Sequence, residues 1–261
     1  MSFRNDGSSH KTGVKNEIIV QEKIRQDVLY ASNTLGAVIE GDYEVEHIGG
    51  TKGKTDVNIV INGVTRRISI KKKEDAKSGS FDWINTTKAL NASVKYKQFA
   101  DAVDQARERY RPTGNRNAAE KMINEASSRV LDTLGHKDIF PILQNFVATP
   151  YIQQQLRILV NDLQDGVNYS FDFQDMQLYK HIQSNSKITL KPSSRGNAQT
   201  SRIVLFDGED IGIRIRLVTN NGISALVGIS KANKDAQATV KIQQDKVATM
   251  LDTTNNVRKF V

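Results

Sequence analysis

The chain of 261 residues contains no cysteine. That excludes disulfides and thiolate zinc sites. Its four histidines, His10, His47, His136 and His181, lie far apart and form no paired metal-ligand motif. Each reads as an ordinary surface or core histidine. No stretch approaches the roughly 18 apolar residues of a membrane span. The first residues, MSFRNDGSSHKTG, lack the apolar segment of a secretory signal. They read as a flexible lead-in over 1–13, and an intracellular, cytoplasmic protein is expected. What the chain does have is positive charge, +8 net with a pI near 9.5. Such a balance favours a polyanionic partner, most simply nucleic acid. The length suits one large domain or a core with a smaller module.

The most informative stretch is GGTKGKTDVNIVINGVTRRISIKKK, residues 49–73. Gly53-Lys54-Thr55 has the ending of a nucleotide-binding phosphate loop, but the loop's first glycine would be residue 48, an isoleucine. A phosphate loop must also run from a strand into a helix, whose amino terminus binds phosphate. From Asp56 onward the pattern is that of a strand, so a nucleotide triphosphate site is rejected.

Asn62-Gly63 between two alternating apolar runs is a strong hairpin signal. A two-residue turn there sets Ile61 opposite Val64, Ile59 opposite Arg66 and Asp56 opposite Ser69. Alternation then puts Val57, Ile59, Ile61, Val64, Ile68 and Ile70 on a core face, and Asp56, Asn58, Arg67, Ser69 and Lys71 on the polar one. A slip of one residue would bury the charges. Upstream, residues 14–31 read as a helix with Val14, Ile18, Val20, Ile24, Val28 and Leu29 apolar. On a wheel of about 100° per residue, Glu17 falls within that apolar arc, as does Gln21, with Glu22 at its edge. A carboxylate on a buried face is costly unless it is paired or binds a metal. Glu17 is therefore a candidate to enter the site beside Asp56.

Asp56, a turn, then Ser69-Ile70-Lys71 resembles the PD-(D/E)XK nuclease superfamily, the restriction-endonuclease-like fold. The order of helix 14–31, strands near 43–48, 56–61 and 64–72, and a helix within 84–110 is similar to that fold's helix, three-stranded meander and helix. The resemblance covers roughly the first 110 residues. It implies an α/β protein with a mixed central sheet flanked by helices, a nuclease core over 14–110, and a helical then β-rich region over 111–261. The resemblance departs at two positions. Thr55 stands before the first acid where proline is usual, and Ser69 stands where the second acid is expected. Glu17 is the first choice to replace that acid, and Glu46 the reserve.

The resemblance implies a metal-dependent DNA endonuclease of restriction or homing type, with a junction resolvase as a close rival. A non-catalytic DNA-binding protein on the same fold is the alternative from another class. Mg²⁺, with Mn²⁺ substituting, would take oxygen ligands from Asp56, Glu17 and the Ile70 carbonyl, with Ser69 reaching a bound water. Lys71 would orient the attacking water or offset charge in the transition state. A homodimer is implied by double-strand cleavage with one site per chain.

DNA contacts are expected from Lys73, which shares the face of Lys71, from Arg67, and from Arg214 and Arg216. The last two stand on the polar side of the alternating strand IGIRIRLV, 211–218. Lys72 reads as a solvated strand end. Ser78–Trp83 reads as a loop close to the site, with Trp83 anchoring the following helix. Further elements expected are a helix over 117–134 stopped by Gly135, another opened by Thr149-Pro150 and carrying Ile152, Leu156, Leu159 and Leu163, a polar segment over 184–201, strands over 202–229, and a weak helix over 238–251.

Overall fold

The hairpin turn forms because Asn62 and Gly63 both adopt positive φ, 49° and 77°. This is the mirror-image turn whose twist suits two antiparallel strands. Its register runs from Ile61 opposite Val64 to Val57 opposite Ile68, and it aligns β2 (Val57–Ile61) with β3 (Val64–Lys73). On the other side of β2 lies β1 (Tyr43–His47), also antiparallel. The computed structural model describes residues 8–49, 54–73, 81–86, 93–163, 165–172, 184, 186–193, 198–219, 222–227, 236–243 and 257–261.

The protein is an α/β chain with two compact units, 1–82 with 148–180 and 243–261, and 83–147 with 181–242. The first unit is built on a six-stranded sheet in the order β1-β2-β3-β5-β6-β11, where β5 is Leu156–Asp162, β6 is Val167–Asp172 and β11 is Arg258–Phe260. Its one parallel pair is β3 with β5; the other pairs are antiparallel. Helices α1 (Ser8–Gln26) and α2 (Val28–Leu35) close one face. Val20, Ile24, Tyr30 and Ala31 meet Val45, Val57, Ile59, Ile68, Ile70 and Leu159 in one core.

The helix expected over 14–31 is two helices. Asp27 leaves the helical conformation, and its carboxylate accepts from the Tyr30 N–H at 2.9 Å, capping α2. The buried side of α1 carries Asn16, Val20, Gln21 and Ile24, while Ile18, Val28 and Leu29 are exposed. At the far end of α2, Gly36 takes φ 71°, and a Cβ there would meet the Arg157 guanidinium at 2.4 Å. Arg157 needs that space. Its Nε donates to the Thr34 carbonyl at 2.8 Å, and its Nη1 reaches Asp172 at 2.7 Å. One β5 cation thus satisfies an orphan carbonyl of α2.

The second unit has the sheet order β4-β10-β9-β8-β7: Phe81–Asn85, Ala236–Gln243, Glu209–Thr219, Ser201–Phe206 and Ile188–Pro192. It is antiparallel. Helices α3 (Val94–Tyr110) and α4 (Arg116–Thr133) bury Phe99, Val103, Ile123 and Val130. Ser127 of α4 donates to the Leu217 carbonyl of β9 at 3.1 Å.

Several expectations are corrected. The lead-in is helical from Ser8. The helix opened by Thr149-Pro150 ends at Gln153, and Gln155 turns through φ 49°. Leu156 and Leu159 then belong to β5, whose near-continuous apolar run is buried as a central strand's is. Leu163 is exposed. Residues 236–243 form a strand, with Ala238, Val240 and Ile242 buried in alternation, where a helix was expected; 244–256 lie outside the described residues. The polar segment 184–201 contains β7. The 84–110 helix starts only at Val94, and Gly222–Val227 is a short helix. Nor do the units divide at residue 110: residues 83–110 belong to the second, and the sheet of the first is completed by β5, β6 and β11. Among the described residues no helix is long and apolar enough to cross a membrane.

Candidate functional site

The site forms where β1 and β3 part around the start of β2. Asp56 sits just before β2 and joins both neighbours through its backbone. Its N–H donates to the Ile68 carbonyl at 2.9 Å, and its own carbonyl accepts from Ile48 and Gly49. With the main chain fixed, the carboxylate is fixed too. Oδ2 accepts from the Ile70 N–H at 2.6 Å and from Ser69 Oγ at 3.2 Å. Lys71 brings Nζ to 3.8 Å from the same oxygen. The acid and the lysine of the motif therefore meet at one atom.

Glu17 reaches this place from α1. Its carboxyl is held above the ordinary value of 4.5, first by burial and then by the charge of Asp56, with His47 and Lys71 acting against the shift. His47 Nε2 lies 3.5 Å from Glu17 Oε2. Gly49 allows that placement, because a Cβ on it would stand 2.5 Å from the His47 ring. Gln21 ties the same helix to the strand: with its amide turned to suit its neighbours, its oxygen accepts from the His47 N–H at 3.2 Å and from Arg25 at 2.8 Å. The buried polar side of α1 is thus spent on holding β1 and pointing Glu17 inward.

The structure brings together Glu17, Asp56, Ser69, Ile70 and Lys71. Ser69 is fully buried and its hydroxyl is given to Asp56, so it orients the acid, where a contact with bound water was expected. From the sequence His47 reads as an ordinary histidine, and the structure sets it beside Glu17. No local signal marks it, because only the packing of α1 on β1 brings its ring to Glu17. Glu46 is exposed beside Asn58, away from these contacts.

The proposed DNA contacts are dispersed. Lys73 lies 2.7 Å from Asp162 Oδ2, a carboxylate only 1 % exposed. Arg67 is exposed, with Nη1 3.4 Å from the Gln154 carbonyl. Arg214 and Arg216 belong to the second unit, where the β9–β10 register sets Lys241 opposite Arg214 and Thr239 opposite Arg216. Lys241 is thereby a third cation on that face, pulled down to about 8 by burial and then by the two arginines. Residues 78–80 lie outside the described residues, as does the side chain of Trp83.

A hard divalent cation wants oxygen ligands and keeps several waters. The two carboxylates of Glu17 and Asp56, the second raising the cost of charge on the first, fit that demand. Among the described residues no three of His, Cys, Asp and Glu are grouped to hold a metal ion. No protein-family model, curated protein or solved structure matches the chain.

Proposed function

We propose that the chain is a metal-dependent DNA endonuclease with a restriction-endonuclease-like core. The observation that carries this is the meeting of Asp56 and Lys71 at one oxygen, with Glu17 close enough to feel the charge of both. The order of elements supports it: a helix, a three-stranded antiparallel meander, then a strand parallel to the third. Glu17, Asp56 and the Ile70 carbonyl would hold Mg²⁺ or Mn²⁺. Such a cation supplies Lewis acidity at the scissile phosphate and a lowered pKa for the attacking water. Ser69 and the Ile70 amide hold the Asp56 carboxylate in one orientation. Lys71 carries the positive charge that offsets the phosphate's growing negative charge.

A second reading has its own support. Ser69, buried at the position of the missing acid, makes a DNA-binding protein without catalysis the alternative. Plasmid DNA and a four-way junction incubated with Mg²⁺, and separately with EDTA, decide between them. Nicking or cutting that EDTA abolishes supports the nuclease. A mobility shift without any strand break supports the binding protein, and cutting that persists in EDTA overturns the metal mechanism. Preference for the junction would make the enzyme a resolvase.

A further inference from the structure

The first unit also contains a cavity of about 640 Å³ at the turn end of the β2–β3 hairpin. It lies away from Asp56. Arg67 lines it and Lys71 does not, and the two stand on the same side of β3, four residues apart. At about 3.3 Å per residue that is about 13 Å. Its volume is in the range of sites for small organic ligands, roughly 300–1,000 Å³.

The lining is chemically divided. Three arginines, Arg66, Arg67 and Arg157, and one carboxylate, Asp172, line it. Arg157 is already committed to Asp172 and to the Thr34 carbonyl. Arg66 and Arg67 are exposed, and among the described residues neither is paired with a carboxylate. A guanidinium fork of this kind recognises phosphate or carboxylate. The lining also has aliphatic members, Val38 and Val64, 80 % and 51 % exposed, and Ile152. Apolar groups left in water in a concavity mark a site for a flat or apolar ligand body. Asn62 and Gln155 add amides to the lining, the groups that pair with base edges.

We propose that this cavity is a nucleotide subsite, in which Arg66 and Arg67 take the phosphate and the aliphatic lining residues Val38, Val64 and Ile152 take the base. The inference rests on the nuclease reading for its source. The occupant is then a nucleotide of the substrate strand close to the scissile bond. A free nucleotide offers the same chemistry, and the test separates the two sources.

The full-length protein is titrated calorimetrically with dAMP and with inorganic phosphate, and by anisotropy with a labelled DNA duplex in Ca²⁺. The dAMP is expected to bind more tightly than phosphate. The double variant Arg66→Ala/Arg67→Ala should weaken dAMP by about tenfold or more, since charge-assisted contacts are lost. Val64→Trp, filling the cavity from an exposed position, should weaken dAMP but not phosphate. Asp56→Asn should leave dAMP affinity unchanged. If duplex binding falls with the same variants, the occupant comes from DNA. If dAMP binds in this arginine-dependent way while the protein neither cuts nor binds duplex, the nuclease reading fails and the subsite stands as one for free nucleotide. The proposal is overturned if dAMP shows no binding at millimolar concentration, or if its binding ignores both Val64→Trp and the arginine substitutions, whatever the outcome for cleavage.

Discussion

Replacing Lys73 by methionine tests whether this lysine holds the fold or the substrate. Methionine keeps much of the length and removes the charge. In the structure Nζ is 2.7 Å from Asp162 Oδ2, and the two side chains are 18 % and 1 % exposed. Asp162 retains a weak contact from the Asp165 N–H at 3.3 Å. Removing one partner of a buried pair costs about 3–5 kcal/mol because the other charge is left uncompensated. Partial exposure of Lys73 and the other contacts of Asp162 lower that to about 2–4 kcal/mol. For a chain of this size the loss corresponds to roughly 5–15 °C in Tm. Calorimetric melting of wild type, Lys73→Met and Lys73→Met/Asp162→Leu would measure it. The double variant should recover most of the loss, because replacing both charges by apolar groups is nearly neutral. Duplex affinity against salt concentration provides the second reading, and its slope should not change. An unchanged Tm with a slope shallower by about one unit would refute this reasoning and return Lys73 to the DNA contacts.

Glu17→Gln should abolish cleavage and raise Tm at neutral pH. The folded carboxyl holds its proton above the ordinary 4.5, so the folded state binds more protons in the interval just above 4.5 and wild-type stability falls as pH rises through it. The gain from glutamine should shrink towards zero below that interval; a gain independent of pH would count against the inward placement of Glu17. Glu22→Gln, whose carboxylate pairs with Arg25 on the surface, should leave cleavage intact. Asp56→Asn and Lys71→Ala should each lower cleavage by about 10² or more while duplex affinity in Ca²⁺ is retained; wild-type rates in single-turnover assays would remove them from the site. Arg214→Ala and Arg216→Ala should each flatten the salt dependence of binding by about one unit of slope, and wild-type slopes would leave that face without a role in DNA contact.

The hairpin and its register were legible because two local signals agree: Asn62-Gly63 admits few turns, and alternation leaves one register that buries Val57, Ile59, Ile68 and Ile70. Glu17 was legible for a related reason, a charge set among apolar spacings, although the arc included Ile18, Val28 and Leu29, which prove exposed. The break at Asp27 was missed because an N-cap within a continuous helical pattern looks like any exposed aspartate. The strand at Leu156–Asp162 was missed because a short apolar run satisfies either period; its partners β3 and β6 decide the matter, and they lie far away in sequence. His47 carries no local signal. Only the meeting of β1 with α1 shows that its ring faces Glu17.

The parallel pairing of β3 with β5 has a consequence for the order of synthesis. Lys73 and Leu156 end and begin adjacent strands, yet the whole interval between them must be made before the pair can close. Until then β3, carrying Lys71, is the open border of a three-stranded ribbon with unpaired N–H and C=O groups, the kind of border along which nascent chains stick to one another. The last strand, Arg258–Phe260, pairs with β6 and sets Phe260 edge-on against Tyr30 of α2. Helix α2 and β11 therefore meet only after residue 260 has left the ribosome, whereas a chaperone that shields β3 until β5 has been made would be expected to raise the yield of folded protein.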